Sequence, residues 1–328
     1  MARFTLVIAI ATTLSGCGTL VLPRATPQPA TTPQLASGWQ VMSVTGAESD
    51  AIDPALIERK AGGYVLAYAT DRLGDKHVFV TTSPDGVRWS TPVAVAKSEL
   101  TDESPALWED AHSRIHLLFA SNRTNQYGLY EATSSDAVAW GNAVTLPADT
   151  QEAYHPSAAL LASGSAAIAY ETLGGTLRFR TRAADATWGD PSTVYQGGAD
   201  PSLVAQPDGS LVVAFKSYQR LYLRSRSTMG VWSQSAEVPV ESEAETPCLA
   251  LDGHGGLWMV YAQQDGMNWK VSERHSDGHA WGSPADVALG GLDNEHPAGL
   301  INRAGERVLA WSAAGSLRGA GIFFARHR

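Results

Sequence analysis

The hydrophobic pattern of the chain repeats with a period of 45 to 51 residues. In every repeat a proline precedes a short apolar run, and a second apolar run ends on an aromatic residue. The prolines are Pro54, Pro105, Pro156, Pro201, Pro247 and Pro297. The aromatic residues are Tyr68, Phe119, Tyr170, Phe215, Tyr261 and Trp311. Both series have the same spacings of 51, 51, 45, 46 and 50 residues, which predicts six copies of one supersecondary unit.

Each unit contains four segments with the composition of β-strands, which we call a to d. Strand a follows the proline, strand b ends at the aromatic residue, and strand c alternates polar and apolar positions. We expect strand d to begin at a tryptophan, which occurs in five units as Trp89, Trp140, Trp188, Trp232 and Trp281.

The sixth tryptophan, Trp39, precedes the first unit, while the chain stops after strand c of the last unit. The N-terminal strand is therefore expected to complete the last unit and to close a ring. Closure removes the exposed sheet edge that an open array would present. The sequence predicts an all-β fold, a six-bladed β-propeller over residues 38–328.

The segment between strands c and d carries a recurrent motif. It reads Ser83-Pro84-Asp85-Gly86-Val87-Arg88-Trp89 in the first unit, and Asp-Gly-x-x-Trp recurs at 277–281. The aspartate is suited to accept hydrogen bonds from turn N–H groups, and the glycine to adopt a positive φ. The motif resembles the Asp-box (BNR) repeat of sialidase-like propellers, which implies the same fold and places the motif away from the active site.

The first 37 residues have the pattern of an exported, anchored protein. Residues 1–17 combine Arg3, an apolar stretch and the ending Leu14-Ser15-Gly16-Cys17, which resembles a bacterial lipobox. We expect Cys17 to be lipidated, residues 18–37 to form a Pro/Thr/Ala-rich tether, and the protein to lie in the bacterial cell envelope, on the outer membrane or the periplasmic face. The net charge of −9 argues against nucleic-acid binding.

The residue before each repeated proline supplies the first candidate site. In chain order these residues are Asp53, Ser104, His155, Asp200, Thr246 and His296. In a closed ring they should meet around the central axis, with Asp53 facing Asp200 and His155 facing His296. They either cap strand a and fill the channel, or form a polar pocket for a sugar or a cation. Because neither His155 nor His296 belongs to a His-x-His or His-x-x-x-His spacing, we expect no metal and no cofactor.

Arginines in the loops between strands b and c supply the second candidate site, since a guanidinium group binds a carboxylate bidentately. Sialidases combine three such arginines with a Tyr/Glu nucleophilic pair and an Asp that acts as the acid/base. The resemblance implies the same roles here. The implied catalytic residues are Asp53, Tyr154 and Glu245. The implied ligand-binding residues are Arg72, Arg123, Arg220, His155, Asp200, Glu295 and His296, with Arg318 a further candidate.

The chain departs from the sialidase pattern near the first blade. The family's Arg-Ile-Pro signature is absent, and Ala51-Ile52-Asp53-Pro54 stands in its place. We therefore expect a monomeric propeller that binds a glycan or an envelope protein at the central face. The alternatives are a sialidase-type exo-glycosidase, and a glycosidase or lyase that uses Glu103, Asp200 and Glu245.

Overall fold

The computed structural model describes residues 32–45, 50–95, 97–147, 149, 151–315 and 318–327. All regular elements in these ranges are β-strands, and no helix there is long and apolar enough to cross a membrane. Cys17 and most of the expected tether lie outside the described residues. The strands are β1 (Trp39–Ser43), β2 (Ala51–Glu58), β3 (Tyr64–Leu73), β4 (Asp75–Ser83), β5 (Val93–Ala94), β6 (Asp102–Glu109), β7 (Ile115–Ser121), β8 (Gly128–Ser134), β9 (Val144–Thr145), β10 (Ala153–Leu160), β11 (Ala166–Thr172), β12 (Thr176–Arg182), β13 (Ser192–Gln196), β14 (Ala199–Ala205), β15 (Leu211–Ser217), β16 (Arg220–Arg226), β17 (Ala236–Val238), β18 (Ala244–Leu251), β19 (Leu257–Asp265), β20 (Asn268–Ser276), β21 (Ala285–Ala288), β22 (Asp293–Ile301), β23 (Arg307–Gly315) and β24 (Arg318–His327).

The strands form six antiparallel four-stranded sheets, one for each predicted unit. Blades 1 to 5 are built from consecutive strands, starting with β2–β5 and ending with β18–β21. Blade 6 has the order β1-β24-β23-β22, so the N-terminal strand is its outermost strand. Five residue pairs, from Trp39↔His327 to Ser43↔Phe323, fix the register of this closure. The six-bladed ring and its N-terminal closure are confirmed.

The closing segment extends beyond β1 onto the neighbouring blade. The Ala36 amide donates to the Val287 carbonyl, and the Leu289 amide donates to the Gln34 carbonyl. Leu35 and Trp39 both belong to the apolar cluster between blades 5 and 6. Residues before β1 therefore contact both blades. Of these residues, Gln34, Leu35 and Ala36 lie in the range that the sequence assigns to the tether.

The two repeated sequence markers lie opposite each other in one structural feature. In blade 1 the paired residues are Ile52↔Ala69 and Ala55↔Ala67, so Asp53 and Pro54 together oppose Tyr68 alone. This two-against-one arrangement is a β-bulge. It recurs between strands a and b of every blade, at the same place relative to the proline and the aromatic residue. The identical spacings of the two series follow from this pairing.

The residue before each proline has a left-handed backbone. Its φ lies between 42° and 52° in all six blades. Residues other than glycine rarely adopt this backbone conformation, and a proline that follows restricts the backbone of the residue before it further. Such strain costs about 1–3 kcal/mol per residue and persists only where the surroundings enforce it. The opposing aromatic side chains are at most 2% exposed, so the burial of their rings supports each bulge.

The Asp-box turns form as the motif predicts. In blade 1 the Asp85 carboxylate accepts hydrogen bonds from the Val87 and Arg88 amides, both at 2.9 Å. Gly86 has a φ of 70°. Asp136 and Asp277 bind the corresponding amides in blades 2 and 5. These bonds hold the pKa of each aspartate below its usual range, so the motif is a structural clamp.

The prediction that strand d begins at the tryptophan is wrong in blades 1 to 5. Strand β5 begins four residues after Trp89, and in blades 3 to 5 the tryptophan makes only an isolated bridge to strand c. In blades 1, 2, 3 and 5 the intervening segment contains proline or glycine, such as Pro92 and Gly141, which disfavours a continuous ladder, whereas the segment of blade 4 contains neither. Trp39 has no such segment after it, and it does begin its strand.

The axis of the ring is apolar beneath the bulges. Strand a of each blade lines a channel of about 510 Å³ with residues such as Leu107, Leu203 and Leu249. Cys248 lines it too and is therefore only half-buried. Its sulfur contacts the Gly299 amide at 3.2 Å, and burial raises the pKa of the thiol, as expected for an unreactive cysteine.

Thr246 provides a test of the strain in the bulges, because it is β-branched and has a φ of 47°. Asparagine tolerates this conformation far better. We expect Thr246→Asn to increase the free energy of unfolding by about 1 kcal/mol in urea denaturation. Thr133→Asn, at a half-buried strand position, is the control and should decrease it. Equal destabilisation by both variants would contradict the strain argument.

Candidate functional site

The six residues before the prolines meet at one end of the central channel. Their side chains line a cavity of about 120 Å³, which we call the axial pocket. The bulges create this arrangement because each directs one extra residue out of the ladder and toward the axis. The pocket therefore contains two carboxylates, two imidazoles and two hydroxyls, contributed by Asp53, Asp200, His155, His296, Ser104 and Thr246.

His155 is surrounded by carboxylates. Its Nδ1 lies 3.1 Å from Glu171 Oε2 and 3.6 Å from Asp200 Oδ1. Burial opposes protonation, but the Glu171 hydrogen bond and the charges of Asp200 and Asp53 outweigh it and raise the pKa of His155 to about 9. Burial in turn raises the pKa of Asp200, and the Glu171 carboxylate adds to that rise. The cluster is an imidazolium balanced by several acids.

His296 forms a second, simpler pair on the other side of the pocket. Its Nε2 lies 3.3 Å from Asp53 Oδ1, and its Nδ1 lies 3.3 Å from the Ser312 hydroxyl. Glu295 Oε2 is 4.0 Å from the same ring. Burial raises the pKa of Glu295, and the charges of Glu245, Asp293 and Asp53 contribute. The two histidines thus have different partners at Nδ1, a carboxylate for His155 and a hydroxyl for His296.

Two lysines neutralise part of the surrounding negative charge. Lys216 Nζ donates to Glu245 Oε2 at 2.6 Å, and Lys76 Nζ donates to Glu103 Oε2 at 3.2 Å. Burial lowers the pKa of Lys216, but the hydrogen bond to Glu245 outweighs this effect, so the pKa of the lysine is raised overall. The carboxylates around the axis are Asp53, Glu103, Glu171, Asp200, Glu245 and Glu295, against two lysines and two histidines.

Two tyrosines in contact lie beside the axial pocket, and one of them, Tyr127, also lines a larger cleft. The rings of Tyr127 and Tyr154 are 4.7 Å apart, centroid to centroid. The Tyr154 hydroxyl donates to Glu152 Oε2 at 2.6 Å, and Tyr127 forms a hydrogen bond with Glu103. Burial raises the pKa of Tyr127 to about 12, and it raises the pKa of Tyr154 further. Tyr154 directly precedes His155, so this pair lies at the edge of the pocket.

The cleft lies between blades 2 and 3 on the same face of the ring and has a volume of about 450 Å³. Tyr127, Tyr130 and Tyr170 give it an aromatic wall, while Gln151 and Glu152 supply polar groups. The Tyr170 hydroxyl donates to Asp149 Oδ2 at 2.5 Å and accepts from Arg180 Nε at 3.2 Å. A concave site with aromatic walls and a few fixed polar groups is typical of small-ligand binding.

The structure gives the predicted tyrosine a different partner. A Tyr154–Glu245 nucleophilic pair was expected from the resemblance, but Tyr154 is bonded to Glu152 and Glu245 to Lys216. The reason is blade position: Glu245 is on blade 5, whereas Glu152 is two residues from Tyr154 on blade 3. Asp53 is in the axial pocket, as predicted.

The predicted arginines are engaged in three different blades. Arg123 donates to the buried Asp102 at 2.8 Å, and the Arg72 guanidinium lies 4.2 Å from the centre of the Phe79 ring. Arg220 donates to the Val240 carbonyl at 3.1 Å. These contacts engage the three guanidinium groups with separate partners in blades 1, 2 and 4. The side chain of Arg318 lies outside the described residues.

Sequence reasoning missed Glu171 and Lys216, although a signal for them exists. Both directly follow the aromatic marker of strand b. The other four blades carry a small residue at this position, namely Ala69, Ala120, Ala262 and Ser312. Each of these residues pairs across the bulge with the residue two places before the proline. A charged residue there reaches the axial region.

No protein-family model matches the chain, and no curated protein sequence matches it either. Solved structures do resemble it. A protein of unknown function from Dyadobacter fermentans has a TM-score of 0.72 at 12% identity, with 89% of this chain and 100% of that chain covered. A Hadza microbial sialidase has a TM-score of 0.69 at 14% identity, with 88% and 68% covered.

The sialidase of Trypanosoma rangeli also has a TM-score of 0.69, at 12% identity, with 89% of this chain and 60% of that chain covered. This chain therefore spans less than two thirds of the Trypanosoma protein. At such identities the likeness concerns the fold alone. The chain is a sialidase-like six-bladed propeller, as the Asp-box motifs indicated.

The protonation of His155 can be measured directly. The raised pKa, about 9 against an ordinary 6.5, means that the His155 cluster contributes stability fully below pH 6.5 and loses it as the pH rises through 9. Glu171→Ala copies the residue of blades 1, 2 and 5 and should shift the NMR titration midpoint of His155 downward. The difference in unfolding free energy between parent and variant should disappear by pH 10. An unchanged midpoint would refute the role of Glu171.

Proposed function

We propose that this protein is a carbohydrate-binding propeller whose ligand lies across the axial pocket and the cleft between blades 2 and 3. The observation that carries the proposal is the Tyr127–Tyr154 ring pair, because Tyr127 lines the cleft and Tyr154 directly precedes His155 of the axial pocket. The faces of sugar rings pack on aromatic side chains, while their hydroxyls form hydrogen bonds with carboxylates and amides. Tyr127 lines the cleft, and Glu103, Glu152 and Gln151 are the neighbouring acceptors.

The charge of the site selects among sugars. Six carboxylates surround the axis, with two lysines and two histidines to offset them, and the chain as a whole has a net charge of −9. A carboxylate carried by a ligand into this region would be repelled, whereas a neutral or amino sugar would not. We therefore propose a neutral or positively charged glycan as the ligand, rather than a sialic acid.

A hydrolase of the sialidase type is the second candidate. The Tyr154–Glu152 contact of 2.6 Å favours it, because a carboxylate beside a tyrosine hydroxyl can accept its proton during nucleophilic attack. Two features oppose it. The pKa of Tyr154 is raised by burial and by Glu152, and the predicted Arg123 and Arg220 are engaged with Asp102 and the Val240 carbonyl. Binding without hydrolysis is the function that agrees with all of these contacts.

Glycan binding and hydrolysis can be separated in one set of variants. On a glycan array we expect binding to neutral or amino-sugar glycans, and we expect Tyr127→Ala to weaken it at least about tenfold, the equivalent of 1.4 kcal/mol. Tyr218→Ala is the matched control, since Tyr218 is 90% exposed in the b–c turn of blade 4. A fluorogenic sialoside should not be cleaved.

Two results would change this conclusion. Binding that is confined to sialylated glycans would contradict the charge argument. Release of the fluorophore by the parent, abolished in Tyr154→Phe, would establish the hydrolase instead. An array without signal, combined with capture of an envelope protein that Tyr127→Ala prevents, would show that the face binds a protein partner.

We further propose that the propeller is attached to the bacterial cell envelope through lipid on Cys17. The support is the Leu14-Ser15-Gly16-Cys17 sequence, followed by the Pro- and Thr-rich residues before the ring. In a bacterial host the parent should carry a lipid mass at an N-terminal cysteine and fractionate with membranes. Cys17→Ala should be soluble and unlipidated, while Cys248→Ala should behave as the parent. Membrane association of Cys17→Ala would refute the anchor.

A further inference from the structure

The His155 cluster contains three potential metal ligands from three strands. His155 is on β10, Glu171 on β11 and Asp200 on β14, in the neighbouring blade. One donor atom from each residue lies within 4.8 Å of the other two. We propose that His155, Glu171 and Asp200 form a binding site for a divalent transition-metal ion, with Zn²⁺ as the best match.

The donor spacing supports this assignment. Zn²⁺ binds imidazole nitrogen and carboxylate oxygen at about 2.0–2.2 Å in tetrahedral geometry, so neighbouring donors are separated by about 3.3–3.5 Å. The His155 Nδ1 separations of 3.1 Å from Glu171 and 3.6 Å from Asp200 bracket that value. The third separation, between the Glu171 and Asp200 oxygens, is within 4.8 Å. An ion that bound all three donors would displace the proton from His155 Nδ1.

The chemistry of the donors selects the class of ion. One imidazole with two carboxylates is a mixed N/O set, which suits Zn²⁺ and related ions better than Mg²⁺ or Ca²⁺. The set has one nitrogen and two negative oxygens, so it would neutralise a divalent cation. On the opposite side of the pocket the two carboxylates approach different nitrogens of His296, Asp53 at Nε2 and Glu295 at Nδ1, and Ser312 stands where the first cluster has Glu171. Among the described residues, the His155 cluster alone brings three such donors together.

The surroundings leave room for a fourth ligand. The axial pocket of about 120 Å³ has space for about four waters at roughly 30 Å³ each. Thr246, which follows Asp200 around the ring, also lines the pocket, and its hydroxyl oxygen is shielded from solvent without a hydrogen-bond partner among the described residues. A buried hydroxyl without a partner is costly. A water bound to the metal would supply the missing hydrogen bond.

The backbone at the site is held in place before any ion binds. His155 and Asp200 have φ values of 42° and 50°, and both belong to bulges that the buried rings of Tyr170 and Phe215 support. A preorganised site loses less conformational entropy when it binds an ion. The proposal departs from the sequence expectation of no metal, because the ligands come from separate strands and show no local spacing motif.

Metal binding can be tested independently of any glycan. The full-length chain is stripped with EDTA and titrated with Zn²⁺ by calorimetry, and its thermal unfolding is recorded with and without the ion. We expect one Zn²⁺ per chain and a higher unfolding temperature in its presence. Glu171→Ala and His155→Ser, which copy residues of other blades, should weaken binding at least about tenfold. His112→Ser, at an exposed turn, should bind like the parent.

Zinc-edge X-ray absorption of the parent provides a readout that does not depend on the folding of any variant. We expect one imidazole and otherwise oxygen ligands. A spectrum that requires a thiolate or two imidazoles would place the ion elsewhere. Less than a tenth of an equivalent bound, or equal affinity in Glu171→Ala and the parent, would show that the cluster is only a hydrogen-bonded ion pair and would overturn the proposal.

Discussion

The structure depends on one contact that is made six times, between a pre-proline bulge on strand a and a buried aromatic ring on strand b. Two residues of one strand face a single residue of the other, and the extra residue has a left-handed backbone. The strain is compensated because each ring is buried against the neighbouring blade, as for Tyr68 and Phe119. The same contact therefore fixes the register within a blade and the packing between blades.

This contact also explains how the axial pocket arises. The side chains of a regular strand would alternate between the two faces of the sheet, and neither face would point toward the central axis of the ring. The bulge turns one side chain of each blade toward the axis, whatever its chemistry. The fold therefore provides six equivalent positions, and the sequence determines what they do. The arrangement Asp, hydroxyl, His occurs twice around the ring, and Glu171 and Ser312 break the twofold repetition.

The sequence predicts the ring well and the site only in part. The repeat markers and Trp39 give the number of blades and the closure, because both depend on periodic, local signals. The ring of pre-proline residues is also found from the alignment of the repeats. The partners of these residues are not, since Glu171 reaches His155 across a bulge and Lys216 reaches Glu245 from the neighbouring blade. Likewise, the hydrogen bonds of Tyr154 to Glu152 and of Glu245 to Lys216 did not follow from the family resemblance, which paired Tyr154 with Glu245.

The resemblance to sialidases bears on ligand binding only through the features that the two kinds of protein share. The feature that the comparisons show to be shared is the six-bladed fold. In this chain the Asp85 carboxylate binds the amides of its own turn. At the axis of this chain Asp53 stands at the first bulge, and Arg123 is paired with the buried Asp102. A region rich in carboxylates attracts cations and neutral hydrogen-bonding groups and repels acids. The electrostatics of the axial face, more than its fold, therefore restrict what this propeller can bind.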